Sequence, residues 1–126
     1  MNTRRRFAIK YGLFRPLMSV MGLGPRFSRA EIGDDRLIVK MGWAFSADLP
    51  RSAIQSAEQT QGLVGGIGVH GWSGRWLVNG AASGLVMIRF EPRPRAWVMG
   101  FPVKLVSLRL SLEEPEQFVL AIAPAP

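Results

Sequence analysis

The sequence contains no cysteine and a single histidine, His70. Without cysteine the chain cannot form disulfides, thiolate metal sites or a thiol nucleophile. One histidine cannot supply the multi-histidine ligand sets that are typical of catalytic zinc. We therefore expect no metal, no cofactor and no catalytic residue, and we predict that the protein is not an enzyme.

Long apolar runs are also missing. No stretch reaches the ~18 consecutive apolar residues that a transmembrane helix needs. Residues 3–7 partly match a twin-arginine export motif, but Lys10, Arg15 and Pro16 interrupt the apolar core that an export signal requires. The sequence therefore favours a cytoplasmic protein, with a peripheral position at the inner membrane face as the open alternative.

Acidic residues are absent from the first 29 positions, which carry seven of the 16 basic side chains. The remaining chain holds nine basic and nine acidic residues, so the net charge of +7 belongs to the N-terminal segment. Such a segment attracts anionic partners at long range, although a merely solvated arm is the simpler alternative. The predicted contacts with an anionic surface are Arg4, Arg5, Arg6, Lys10 and Arg15.

The 126 residues, 48% of them hydrophobic and 20% charged, fit one globular domain. We divide the chain into a basic amphipathic extension over residues 1–26 and a domain over residues 27–123. Alternating apolar residues from Phe7 to Leu13 predict a strand. Pro16 and the helical spacing of Leu17, Val20 and Met21 predict a two-turn amphipathic helix.

Two hairpins are predicted in the domain. Residues 33–35 (GDD) are turn formers between two apolar stretches. A polar and small-residue loop over residues 79–84 separates two alternating segments and predicts the second hairpin. The strand after the first turn either continues through residues 43–45 or bends at Gly42 and starts again. Residues 50–61 have helix-forming composition but poor amphipathicity, so strand and helix both stay open.

The C-terminal region predicts a strand followed by a helix. Val106, Leu108, Leu110 and Leu112 share one strand face. Residues 111–116 (SLEEPE) have capping-box spacing and a proline in the first turn. Many strands before one terminal helix indicate a mainly β fold, a curved antiparallel sheet or open barrel closed by that helix.

The glycine pattern at residues 66–71 fits G-x-G-x-x-G, but a strand rather than a helix is expected after it, so dinucleotide binding is not favoured. Within this region His70, Trp72 and Arg75 combine a donor, an aromatic plane and a cation. With Trp76 and Asn79 they form our candidate ligand site, suited to a carboxylate, phosphate or peptide backbone. Core packing is the simpler role for the four tryptophans, and backbone hydrogen bonding is the simpler role for His70.

Five segments together show a family resemblance. They are residues 39–45 (VKMGWAF), 49–54 (LPRSAI), 70–80 (HGWSGRWLVNG), 100–103 (GFPV) and 110–115 (LSLEEP). From about residue 27 to residue 122 the chain resembles small bacterial proteins that look like bacterial pleckstrin-homology-like (PH-like) domains. The resemblance implies a bent antiparallel sheet of about seven strands capped by a C-terminal helix, with a strand within residues 49–58. It implies no catalytic residues, and the acidic loop at residues 33–35 disfavours classical phosphoinositide recognition.

PH-like domains are scaffolds that bind lipids, peptides or proteins, and several bacterial ones assemble into rings. The leading hypothesis is therefore a non-enzymatic binding domain at an anionic membrane surface or on a protein partner. A homo-oligomeric subunit is the main alternative. A small-molecule or anion-binding protein, or a hydrolase centred on His70, is a further one. Nucleic acid is disfavoured because most tryptophans lie far in sequence from the basic segment.

Overall fold

The computed structural model describes residues 5–13, 15–61 and 68–122, which contain eleven strands and two α-helices. In chain order these are β1 (Arg5–Phe7), α1 (Arg15–Val20), β2 (Ser28–Ile32), β3 (Arg36–Met41), β4 (Phe45–Pro50), β5 (Ile54–Gln59), β6 (Gly68–Trp72), β7 (Arg75–Asn79), β8 (Leu85–Phe90), β9 (Arg95–Val98), β10 (Phe101–Lys104), β11 (Ser107–Ser111) and α2 (Pro115–Ile122).

The strands form two sheets, and neither sheet closes into a barrel within the described ranges. The first has the order β1-β2-β3-β4-β9-β10, and the second has the order β5-β8-β11-β7-β6. A mainly β fold with a C-terminal helix is thus confirmed. The expected single bent sheet of about seven strands was wrong, because the chain forms two sheets. The all-antiparallel arrangement was also wrong, because β7 and β11 pair in parallel.

Apolar side chains at every second strand position fill the space between the two sheets. In the first sheet the buried residues of β3 are Leu37, Val39 and Met41. In the second sheet Leu108 and Leu110 of β11 are buried among the large apolar side chains of its neighbours. One hydrophobic core results, and it leaves the polar side chains of each sheet on its outer face.

The segment that we predicted as an N-terminal extension contributes to this core. β1 pairs with β2, with Phe7 opposite Ala30. Phe7 packs edge-on against Phe118 of α2, with ring centroids 5.2 Å apart. Met18 of α1 and Leu23 are buried in the same cluster. Residues 5–13 and 15–23 therefore cover one side of the core instead of projecting as a free arm.

The first predicted hairpin is confirmed, since β2 and β3 pair antiparallel across residues 33–35. The chain turns at residues 42–44 and β4 starts at Phe45, so the strand does not continue through Trp43. The second predicted hairpin was wrong. β7 and β8 do not pair with each other, because β11 lies between them and bonds to both. The loop at residues 79–84 instead connects two strands, β7 and β8, that lie on opposite sides of β11.

Residues 50–61 resolve into a short 3-10 turn at Arg51–Ala53 and then strand β5. β5 pairs with β8 along its length, and this tertiary pairing outweighs the helix propensity of its Ala, Gln and Glu residues.

The expected capping box at the start of α2 was wrong. Ser111 ends β11, where its Oγ accepts from the amide of Gly80 at 2.9 Å and donates to the carbonyl of Lys10 at 3.0 Å.

Candidate functional site

Exposed apolar side chains concentrate at one end of the first sheet. Of the eleven large hydrophobic residues that are exposed in the described ranges, seven lie on or directly after α1, at residue 27, in the turns that follow β3 and β9, and at the start of β10. We call these seven the apolar patch. They are Leu17, Val20, Met21, Phe27, Trp43, Met99 and Phe101.

Helix α1 presents the apolar side of its amphipathic pattern to solvent. Leu17 and Val20 are 54% and 86% exposed, whereas Met18 on the other side of the helix is buried. Met21 directly after the helix is also half exposed. A helix of a monomeric globular protein normally turns this stripe toward the core. In this chain the stripe faces the solvent instead.

Hydrogen bonds fix α1 to the end of the first sheet. Trp43 Nε1 donates to the carbonyl of Met21 at 2.8 Å. The amide of Gly42 donates to the carbonyl of Phe27 at 2.9 Å. Beside Trp43, the amide of Met99 donates to the carbonyl of Ala44 at 2.9 Å, which brings the β9–β10 turn to the same end. The apolar patch is therefore a preformed surface and not a set of scattered side chains.

Tyr11 anchors the segment that follows α1. Its hydroxyl donates to the carbonyl of Leu23 at 2.6 Å, and Ser28 Oγ donates to the same carbonyl at 3.1 Å. Burial raises the pKa of the Tyr11 hydroxyl above its ordinary 10.0, opposed in part by the hydrogen bond with Ser28 and by the positive charge of Arg15. The neutral hydroxyl is thus the form that this site stabilises.

Basic side chains border the apolar patch. Arg26, Phe27, Arg29, Lys40 and Trp43 line an open concavity of about 420 Å³. Arg29 is ion-paired with Glu31 at 2.7 Å, whereas Lys40 and Arg26 form no ion pair with the nine acidic residues, all of which lie in the described ranges. The acidic turn at residues 34–35 lies at the opposite end of the β2–β3 hairpin. The first sheet therefore has a basic, apolar end and an acidic end.

The predicted anionic-surface residues do not form one cluster. Arg4 lies outside the described residues. Arg5 and Arg6 lie opposite Ile32 and Glu31 in the β1–β2 ladder, near the acidic turn. Lys10 is held beside Ser111 by two backbone contacts. Of the four that are described, only Arg15, the first residue of α1, lies by the apolar patch, on a second concavity that it shares with Arg26 and Phe27.

Arg26 and Lys40 were not among the predicted contacts with an anionic surface, although both border the apolar patch. A signal for Lys40 was available, because the turn at residues 33–35 fixes the hairpin register and places Arg29 opposite Lys40. Core packing, the simpler role for the tryptophans, does not hold for Trp43 and Trp97, and Trp72 is exposed in the candidate ligand site. Trp43, Trp72 and Trp97 are 60%, 81% and 45% exposed, and only Trp76 packs against the core.

The outer face of the second sheet brings together part of the predicted ligand site. His70 and Trp72 of β6 lie opposite Leu77 and Arg75 of β7. Together with residues of β8 and β11 they line a shallow depression of about 410 Å³. Trp76 packs against the core with its ring against Gly71, and both residues also line the depression. Asn79 lies farther along β7 and is fully buried, with its Nδ2 donating to the carbonyl of Ala81.

The described part of the glycine motif, residues 68–71, lacks the loop and following helix that dinucleotide binding requires. The first two residues of the motif lie outside the described ranges, and the remainder forms β6, which turns directly into β7. No helix starts there to receive a pyrophosphate.

Among the described residues no group of three or more His, Asp or Glu side chains is arranged to hold a metal ion. Nor does that part of the chain include a helix of the length and apolar character that crossing a membrane requires.

Comparison with known proteins gives no match, either to a family model, to a curated protein or to a solved structure.

Proposed function

We propose that this protein is a non-enzymatic peripheral binding domain that docks on anionic lipid surfaces through the apolar patch. The observation that carries the proposal is the outward orientation of Leu17 and Val20 on α1, next to the exposed indole of Trp43. Amphipathic helices bind at lipid interfaces by burying such an apolar stripe. Tryptophan is enriched at the boundary between membrane and water, where its ring is buried and its N–H finds a polar partner. In this chain the N–H of Trp43 already has that partner, the carbonyl of Met21.

The positive charges beside the apolar patch favour an anionic lipid surface over a neutral one. The cations nearest the patch are Arg15, Arg26 and Lys40, each of which contributes about 1 kcal/mol near an anionic leaflet. The acids of residues 34–35 point away at the other end of the hairpin. This polarity orients the protein with α1 and Trp43 toward the membrane.

A PH-like scaffold is part of this proposal. The run of strands followed by one C-terminal helix supports it. The parallel pairing of β7 with β11 departs from the antiparallel sheet that the resemblance implies. The proposed lipid contact does not use the loop between the first two strands of the domain, which is acidic here, so it differs from classical headgroup recognition.

Vesicle co-sedimentation tests the proposal. The full chain should partition onto phosphatidylcholine vesicles containing phosphatidylserine and much less onto phosphatidylcholine alone. Replacing Leu17 and Val20 with serine should lower the partition coefficient at least about tenfold, because apolar burial contributes ~1.5–3 kcal/mol per side chain. Leu120→Ser is the matched control, since Leu120 is 80% exposed on α2 outside the patch.

Two double variants that each remove two positive charges test the contribution of charge to vesicle binding. Arg26→Gln with Lys40→Gln should weaken binding to phosphatidylserine vesicles by about 30-fold, from ~1 kcal/mol per charge. Arg93→Gln with Lys104→Gln removes the same charge elsewhere on the exposed surface and should change it much less. Equal partitioning of all variants would contradict the proposal. A dimer in light scattering that Leu17→Ser and Val20→Ser abolish, without vesicle binding, would assign the patch to self-association and overturn it.

A further inference from the structure

A second binding surface lies on the other sheet, away from the apolar patch. The outer face of β6, β7, β11 and β8 carries two rows of cross-strand neighbours. The first row is Trp72, Arg75, Ser107 and Arg89, and the second row is His70, Leu77, Arg109 and Met87. The depression of about 410 Å³ lies over these rows and falls in the size range of small-molecule sites.

The walls of this depression are cationic and its floor is apolar. Leu77 is buried under it and Met87 is half-buried. Arg75 is exposed beside it, while Arg109 is half-buried on β11. An apolar floor that is flanked by guanidinium groups favours a ligand with both an apolar portion and an anionic portion.

Arg75 and Arg109 have no acidic side chain as a counter-charge among the described residues. All nine acidic residues lie in the described ranges, and neither Arg75 nor Arg109 forms an ion pair with any of them. The neighbouring acid on this face, Glu58, is paired with Arg89 at 2.8 Å. A half-buried guanidinium without a carboxylate is a poorly compensated charge. A bound anion would supply the missing bidentate acceptor.

The aromatic element is Trp72 at the end of β6. Its side chain is 81% exposed. Ser73 and Gly74 form a tight turn with positive φ values of 51° and 81°, so Trp72 and Arg75 are direct cross-strand neighbours. Cross-strand Cβ atoms lie about 5 Å apart. An exposed indole next to an arginine provides a stacking plane for a ring and a donor pair for a phosphate within one small ligand.

We propose that this face, the nucleotide face, binds a ligand that joins a planar ring to a phosphate, the chemistry of a nucleotide. The ring stacks on Trp72, and the phosphate accepts hydrogen bonds from Arg75 and Arg109. His70 borders the same depression and adds a polar contact at the rim. Binding requires no covalent step. The proposal does not depend on lipid docking, because the two surfaces share no residue.

Isothermal titration of the full chain tests the proposal with adenosine monophosphate, adenosine and inorganic phosphate as separate titrants. We expect saturable binding of the monophosphate and at least tenfold weaker binding of each half. Trp72→Ala and Arg75→Gln should each weaken monophosphate binding at least tenfold. Both side chains are exposed, so these variants should keep the far-ultraviolet circular dichroism spectrum of the wild type.

Trp97→Ala and Arg93→Gln are the matched controls and should bind the monophosphate as the wild type does. Absence of saturable binding at millimolar monophosphate would overturn the proposal, and so would equal affinity in Trp72→Ala. A single-stranded oligoadenylate is the last titrant. If it binds through Trp72 and Arg75 while the monophosphate does not bind, the face recognises a nucleic-acid strand and the small-ligand proposal is wrong.

Discussion

The carbonyl oxygen of Gly22 occupies the position that a Cβ on residue 42 would need. Gly42 also has a φ of 51°, in the left-handed region that glycine adopts most readily. This close approach joins the end of α1 to the β3–β4 turn and so holds Trp43 beside Met21. The apolar patch thus depends on two glycines that have no side chain of their own to contribute.

Gly42→Ala should lower the free energy of unfolding by about 2–4 kcal/mol. The left-handed conformation of a non-glycine residue accounts for roughly 1–2 kcal/mol, and displacement of the Gly22 carbonyl accounts for the rest. Urea denaturation followed by circular dichroism measures the loss. Gly100→Ala is the control, because Gly100 has a φ of 83° but no atom within 4 Å of its added Cβ. Equal losses in the two variants would show that the Gly22 contact is unimportant.

Elements that depend only on neighbouring residues were predicted correctly from the sequence. The turn formers at residues 33–35 predicted the first hairpin, and the alternation of residues 106–112 predicted the strand that the structure shows as β11. The same signals failed at residues 79–84, because a turn-forming loop does not reveal whether its two strands pair or receive a third strand between them. β11 enters that gap from 28 to 32 positions after Asn79, a pairing that local periodicity cannot specify.

Surface sites were harder to predict than the fold. Helical spacing at Leu17, Val20 and Met21 correctly indicated an apolar stripe, but spacing alone does not reveal whether the stripe faces the core or the solvent. Four residues of the predicted ligand site line one depression, namely His70, Trp72, Arg75 and Trp76. The fifth, Asn79, shares a strand face with Arg75 but is fully buried farther along β7, and alternation does not reveal how far along a strand a depression extends.

Ser111 provides a stability test that distinguishes its observed role from helix capping. Ser111→Ala should lower the free energy of unfolding by about 2–4 kcal/mol, because the buried amide of Gly80 and the carbonyl of Lys10 both lose their hydroxyl partner. Equilibrium urea denaturation gives the value. Glu114→Ala is the comparison and should cost less than about 1 kcal/mol, because Glu114 is exposed. Comparable losses in the two variants would favour a capping box over the bridge between Lys10 and Gly80.

Tyr11 is the sole tyrosine, so its ionisation can be followed directly through the absorbance of tyrosinate. Burial raises its pKa above 10.0 in the folded chain. The midpoint of the absorbance titration should therefore lie above 10.0 for the native protein and return to about 10 in concentrated urea. Identical midpoints in the two states would contradict the burial of this hydroxyl against Leu23.

The raised pKa has a defined consequence for stability. Below pH 10.0 the hydroxyl is protonated in both the folded and the unfolded chain, so its full contribution to stability is present there. Above that pH the unfolded chain releases the proton first, and stability falls until the folded pKa is reached. Tyr11→Phe should be less stable at neutral pH by about 1 kcal/mol, because the bond to Leu23 is lost. Its unfolding free energy should then decline less steeply than that of the wild type as alkaline pH rises. A parallel decline in both proteins would mean that Tyr11 does not contribute to the alkaline transition.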